Sequence, residues 1–358
     1  MTYNPGPQPG INALNGQFGT VANSTTLAAA LNYGWANSVP IWLPPMVWNF
    51  DADVTLTKPN NHAQLRVYGG SFREAVTVTG GTVLNFGSGV VNGLTIDGGS
   101  AAINLLLDGV TFAMNSYGNN GLKILNGQEW QVQNCAFQGY SKANANAIAA
   151  ISTGGFTGAG YIIGNRFETG VNCVFLGAGT NNNNATLIEK NIFSDSARGV
   201  LYGTSAVGDQ IQLLSIIDNI FENNTIDVET NGTLETFIYE RNYTECNTSN
   251  ANPRIKINAP HSTNSAVTIR DSFFQHVLPN AGNSVIYINQ ADGIRVDGNV
   301  HINGGYTADR WFCDVSVGGC TRYDIDVAVN QAGVNPLQNK FAAGPQSTRT
   351  ISNALVVG

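Results

Sequence analysis

The chemistry-bearing residues that stand out are two carboxylates in one strand-like run, Thr225-Ile226-Asp227-Val228-Glu229. Residues two apart on a strand share a face, with Cα atoms about 6.6 Å apart. Side-chain directions can spread such carboxyls into the ~6.5–9.5 Å window of inverting glycoside hydrolysis. They can also hold them near the ~5–5.5 Å of a retaining pair. One carboxyl would carry the proton with a raised pKa, and the other would activate water or attack directly. The sequence does not say which is which. The competing reading is a solvated outer face on which Asp227 and Glu229 balance Arg254 and Lys256.

A second chemistry needs different groups. β-Elimination on a uronate polymer takes a base to remove the proton α to the carboxylate and a cation to neutralise that carboxylate. Arg254, Lys256 and Tyr287 are of the right types, and a calcium ion would enter only with this chemistry. His261 and His276 fall in loops after strands, where an isolated His is usually a bystander. A further cluster, Glu235, Tyr239, Glu240, Arg241, Tyr243 and Glu245, contains Glu240 as a residue that would edge the same groove. No zinc spacing is present, because the four His are scattered singly and none lies near a Cys pair. No cofactor is expected for hydrolysis.

The elements that position these residues come from a repeat. Lys190-Asn191-Ile192-Phe193, Asp218-Asn219-Ile220-Phe221 and Arg241-Asn242-Tyr243-Thr244 set the same residue types in the same order. Extended over Gly109, Asn134, Asn165, Asn191, Asn219, Asn242, Ser272 and Asn299, the spacings are 25, 31, 26, 28, 23, 30 and 27. Such a period signals a repeat architecture. Its β-branched strands cut by Asn and Gly fit helical and leucine-rich solenoids poorly. The expected fold is all-β, a right-handed parallel β-helix of about ten coils with a short N-terminal capping helix. Asn at a fixed corner tolerates the left-handed conformation and can bond the same amide one coil away. Phe112, Phe137, Phe167, Phe193, Phe221 and Phe273 would form an internal stack.

In/out alternation along the strand after the corner places aliphatic residues such as Ile226, Val228, Ile255 and Ile257 inward. The outward column then holds Lys123, Cys173 and Phe175, Leu201, Asp227 and Glu229, Arg254, Lys256 and Asn258, Tyr287 and Asn289, with Trp311 at its end. Carboxylates, cations, amides and aromatics on one surface suit a sugar polymer, whose ring faces stack on aromatics while its hydroxyls need polar partners. Asp227 and Glu229 are the catalytic candidates. Arg254, Lys256, Tyr287, Asn258, Asn289, Phe175 and Glu240 are the substrate-binding ones.

Ser24–Asn37 reads as one helix capped by Asn23 or Ser24, followed by a short strand through Val39-Pro40-Ile41-Trp42-Leu43 that prolines stop. This T-x-x-L-x-x-A-L helix and the strand ending in Leu43-Pro44-Pro45 resemble the entry cap of the pectate-lyase-like superfamily, in the style of phage tailspikes and related polysaccharide depolymerases. The superfamily's usual Pro-x-Gly-x-Tyr is replaced here by Pro44-Pro45-Met46-Val47-Trp48. The resemblance implies a homotrimer that binds and cleaves bacterial surface polysaccharide, with a uronate lyase or a non-catalytic glycan-binding β-helix as the alternatives. The chain divides by pattern into an arm and cap at 1–53, the β-helix at 54–320, and a capping or oligomerisation segment at 321–358. That last segment has strands at Tyr323–Val329 and Ile351–Val357.

Composition limits the partners. The 358 residues carry a net charge of −7 with only 11% charged residues, which argues against binding nucleic acid through a basic surface. Five Cys make no disulfide framework, although Cys313 and Cys320 could close a local loop. No apolar run is long enough to span a bilayer, and the first residues have neither a basic n-region nor an apolar h-region. The expected location is extracellular or virion-associated, without a classical signal peptide.

Overall fold

A computed structural model describes residues 10–60, 62–70, 81–115, 120–139, 149–168, 170–177, 182–204, 210–246, 252–258, 266–275, 284–302, 311–315, 320, 323–331, 338–341 and 348–350. The chain forms two compact units, Met1–Val171 and Asn172–Gly358. Both are stacks of parallel strands in which each strand pairs with its counterpart one coil later. The fold is therefore the expected right-handed parallel β-helix, with about eight turns rather than ten. Its helix is the one the sequence marks, Ser24–Asn37, and the Asn23 side chain accepts from Thr26 N at 3.0 Å.

In the first unit the helix buries Leu27, Ala30, Leu31 and Trp35. Gly34 allows its close approach, since a Cβ there would lie 2.4 Å from Ile41 Cγ1. The internal aromatic column runs Phe50, Phe86, Phe112, Phe137 and Phe167, with the last two steps at 4.7 and 5.0 Å between ring centroids.

The second unit has its own aromatic column, which begins as Phe193–Phe221 at 4.8 Å and then changes partner. Strand register puts Thr244 where the next Phe would stand, between Phe221 and Phe274. Tyr239 from the preceding strand fills the gap, 6.0 Å from Phe221 and 6.3 Å from Phe274. Phe273, expected inside, is 36% exposed and stacks outside on Tyr243 at 5.8 Å. Phe274 has its interior place, because the Tyr243–Phe273 register fixes both on the outward parity of that strand.

The Asn repeat is a hydrogen-bonded ladder. Asn191 N and Nδ2 both donate to Asn219 Oδ1, and Asn219 N and Nδ2 both donate to Asn242 Oδ1, at 2.8–3.0 Å. Asn242 N then donates to Ser272 Oγ at 3.1 Å. These amides are buried, and each bond removes a polar group that would otherwise be costly in the core. The left-handed corner residue is a different one. Lys190, Asp218, Arg241 and Asp271, each directly before a ladder residue, have φ of 56°, 57°, 50° and 51°. In the second unit the expectation that one Asn does both jobs is thus corrected, since one residue turns the chain and the next locks it to its neighbour. In the first unit Asn134 is itself left-handed, with φ 52°, and its Nδ2 donates to Asp108 Oδ1 one coil back at 2.9 Å. The turning residues alternate in charge along the stack, and Arg241 donates from Nε and Nη2 to the two carboxylate oxygens of Asp218 at 2.9 and 3.0 Å.

Strand Tyr323–Gln331 continues the parallel ladder against Ile294–Ile302. The expected strand at Ile351–Val357 lies outside the described residues, as do residues 1–9 of the expected arm.

Candidate functional site on the outer face of the second unit

The strands Asn172–Leu176, Arg198–Tyr202, Ile226–Thr230, Ile255–Asn258, Ser284–Asn289 and Trp311–Val315 pair in sequence order. Their register aligns Phe175, Leu201, Glu229, Lys256, Tyr287 and Asp314 in one column. With about 4.8 Å between strands, these side chains form a continuous strip. Alternating residues such as Val200, Val228, Ile255 and Ile286 are fully buried, which fixes the column as the outward one. A second row lies two residues on: Asn258 Nδ2 donates to Asn231 Oδ1 at 3.1 Å, and Asn258 registers with Asn289.

Glu229 sits mid-column between two cations. Lys256 Nζ is 2.9 Å from Oε1, and Arg198 Nε donates to Oε2. Only 4% of the residue is exposed, while the side chains of Arg198 and Lys256 are 35% and 32% exposed and form its lid. Burial opposes its ionisation, but Lys256 and Arg198 outweigh that and hold the carboxyl below its usual range. Glu229 is therefore a carboxylate in neutral solution. Tyr287, half-buried two strands on, has its pKa raised by burial and by the nearby Asp314 charge, so it keeps its proton.

Asp227 is not on this face. It has no exposed surface and lies against Tyr239, Thr244 and Asn224 in the interior of the second unit. The reason is local. The amides of Asp227 and Val228 both donate to the carbonyl of Arg254, at 2.9 and 3.1 Å, so two residues oppose one. This bulge puts two consecutive residues inside and delays the alternation by one position. The same happens along the stack: Cys173 with Val174 and Arg254 with Ile255 are equally buried pairs, and a Cβ on Gly199 would meet the Phe221 ring at 2.8 Å. Arg254, expected on the substrate face, is accordingly 3% exposed and spends its guanidinium on the carbonyls of Asn224 and Thr225. Small or apolar residues at the matching positions Cys173, Gly199 and Val285 were the available signal for this inward turn.

Lys256, Tyr287, Asn258, Asn289 and Phe175 are brought together, with Phe175 9% exposed at one end of the strip. Glu240 belongs to a different strand face, in register with Ile217 and Arg270, and is paired with Arg241 and Arg270. Arg198 and Asp314 were missed. Asp314 is in register with Tyr287 one coil on, which is the signal that would have found it; Arg198 is in register with Ile226, a position read as inward, and reaches Glu229 from there. His261 and His276 lie outside the described residues, as does the side chain of Trp311. All five Cys are buried thiols outside any disulfide, so Cys313 and Cys320 are not bridged. Among the described residues no group of three or more His, Cys, Asp or Glu is gathered to hold a metal ion, and no helix is long and apolar enough to cross a membrane.

Comparison with known proteins gives a likeness of shape. No family model matches the chain, and no curated protein matches it by sequence. Among solved structures it resembles the catalytic domain of a GH87 alpha-1,3-glucanase, determined in complex with tetrasaccharides. The TM-score is 0.54 at 12% identity, covering 99% of this chain and 70% of the other. At that identity the likeness establishes the β-helical fold.

Proposed function

We propose that this chain is a polysaccharide-degrading enzyme of the glycoside hydrolase type, with its substrate lying along the outer column of the second unit. The observation that carries this reading is Glu229, an ionised carboxylate in the middle of a strip of cations, amides and aromatics. The strip repeats about every 4.8 Å, close to the length of one sugar ring, so successive coils address successive sugars. Asn231, Asn258 and Asn289 supply donors and acceptors for hydroxyls, and Phe175 and Tyr287 supply ring surface.

In the proposed reaction Glu229 takes a proton from water as the water oxygen bonds to the anomeric carbon. The bond from that carbon to the leaving oxygen breaks, and the Tyr287 hydroxyl gives its proton to the leaving oxygen. Lys256 and Arg198 keep Glu229 ionised between turnovers. The glucanase likeness supports the enzyme class. The likeness of the N-terminal block to tailspike caps supports the finer reading: a homotrimer acting on bacterial surface or extracellular polysaccharide, outside the cell or on a virion.

A second reading is favoured by the convergence of Arg198 and Lys256 on one carboxylate. The same pair would recognise the carboxylate of a uronate, as a lyase requires. Incubation with neutral and acidic polysaccharides separates the two. New reducing ends without unsaturated-uronate absorbance mean hydrolysis, and both signals together mean elimination. Neither signal, with glycan still retained on the protein, means binding alone. Glu229→Gln must abolish the cleavage if the site is right.

A further inference from the structure

Two ion pairs brace the same two strands from opposite sides. Outside, Glu229 meets Lys256 at 2.9 Å; inside, Asp227 Oδ1 lies 3.9 Å from Arg254 Nη1. Each inner residue is two positions before its outer counterpart on the same chain segment. Arg254 ties the arrangement together: its carbonyl accepts the amides of Asp227 and Val228, and its guanidinium reaches the carbonyls of Asn224 and Thr225. Asn224 in turn donates to Asp227 Oδ1 at 3.3 Å and to Phe193 O at 3.0 Å. The start of the strand that carries Glu229 thus hangs on a carboxylate enclosed in the interior.

We infer that Asp227 is a positioning residue that holds Glu229 and Lys256 in their outward geometry through Arg254, and that its ionisation state is read out at Glu229. The inference rests on the proposed role of the outer column for its functional meaning, but not for its test. Among the described residues the groups facing Asp227 are Arg254, which is charged, the titratable phenol of Tyr239, and the neutral Asn224 and Thr244. The Tyr239 hydroxyl is engaged with Thr244 Oγ1 at 2.9 Å and, with its pKa pushed well up by burial and the Asp227 charge, stays neutral. Burial raises the Asp227 carboxyl to about 6 against the pull of Arg254. Its charge therefore changes well above the range in which Glu229 titrates. Loss of that charge leaves Arg254 with carbonyl partners alone, and the two strands lose their inner brace.

The test is a carbon-13 NMR titration of the protein labelled at glutamate Cδ, with the Glu229 resonance assigned by its loss in Glu229→Gln. The wild-type Glu229 signal is expected to show two inflections, its own in the acid range and a second near pH 6. Asp227→Asn, which keeps the shape and removes the titration, is expected to retain the first and lose the second. A single inflection in the wild type, or a second one that survives in Asp227→Asn, overturns the inference. Cleavage gives the functional arm: kcat should fall on the acid side with the same midpoint near 6, and Asp227→Asn should show the low-pH rate throughout. A wild-type profile in that variant also overturns the inference. If no polysaccharide is cleaved, the reading of the outer column fails while the NMR result still decides the role of Asp227.

Discussion

Asp227 and Glu229 are separated by one residue on one strand, yet Asp227 faces the Tyr239 phenol inside and Glu229 meets Lys256 outside. Strand geometry alone would put both on one face. The double acceptance by the Arg254 carbonyl is what parts them, and it gives the two carboxyls opposite shifts: one up to about 6 by burial, one down by two cations. Opposed shifts of this kind are how acid and base roles are divided in glycosidases. Here the raised member is enclosed, so the division serves position rather than proton donation.

Replacing Glu229 with Gln is expected to lower cleavage at least ~100-fold with little loss of glycan retention, because the amide keeps the shape and removes the base. Tyr287→Phe should lower the rate in the same assay while leaving retention nearly intact. Lys256→Met should instead weaken retention and move the acid-range inflection of the Glu229 carboxyl upward, since Glu229 loses a cation that keeps it ionised.

Stability should depend on pH through Asp227. Its folded pKa, about 6, exceeds the unfolded value near 3.8, so the folded state binds its proton more tightly. That contribution is present below about pH 4 and is lost as pH rises through about 6. Two units correspond to about 3 kcal/mol. Melting curves of Asp227→Asn should lack this fall between pH 4 and 7. An unchanged pH dependence in the variant would show that the group titrates elsewhere.

The split between turning residue and ladder residue predicts opposite responses at neighbouring positions. Lys190→Gly should leave stability unchanged or raise it by up to ~1 kcal/mol, since its left-handed backbone then carries no side-chain penalty. Asn219→Leu strips an amide that gives two side-chain bonds to carbonyls and receives two from Asn191, and should cost about 3 kcal/mol. Urea unfolding of the two variants checks both.

Gly199 is expected to tolerate no side chain. A Cβ there would sit 2.7 Å from Asp227 O and 2.8 Å from the Phe221 ring, neither of which can yield cheaply. Gly199→Ala should cost about 1–3 kcal/mol by thermal melting.

Much of the fold was legible in the residues. The Asn and Phe periods announced the ladder and the stack, and the helix Ser24–Asn37 showed its cap and its apolar spacing. What pattern alone did not carry was phase. Whether a strand begins its alternation at Asp227 or at Val228 depends on a bulge made by hydrogen bonds to the next coil, and those belong to tertiary pairing. The same applies to Phe273 and Phe274, two equal rings of which only register chooses the inner one. Of the candidate residues, those with regular alternation, Lys256 and Tyr287, face outward as their pattern indicates, and those at the bulge, Asp227 and Arg254, were set on the wrong side.

The alternating signs of Lys190, Asp218, Arg241 and Asp271 make the coils of the second unit non-interchangeable. Their backbones and ladder amides are nearly the same, so nothing in those would stop a folding chain from docking a coil one place out of turn. The turning residues act as an address. Asp218 accepts Arg241, while a skipped coil would set Asp218 against Asp271, or Lys190 against Arg241. Like charges on adjacent rungs penalise the misordered stack before its core closes.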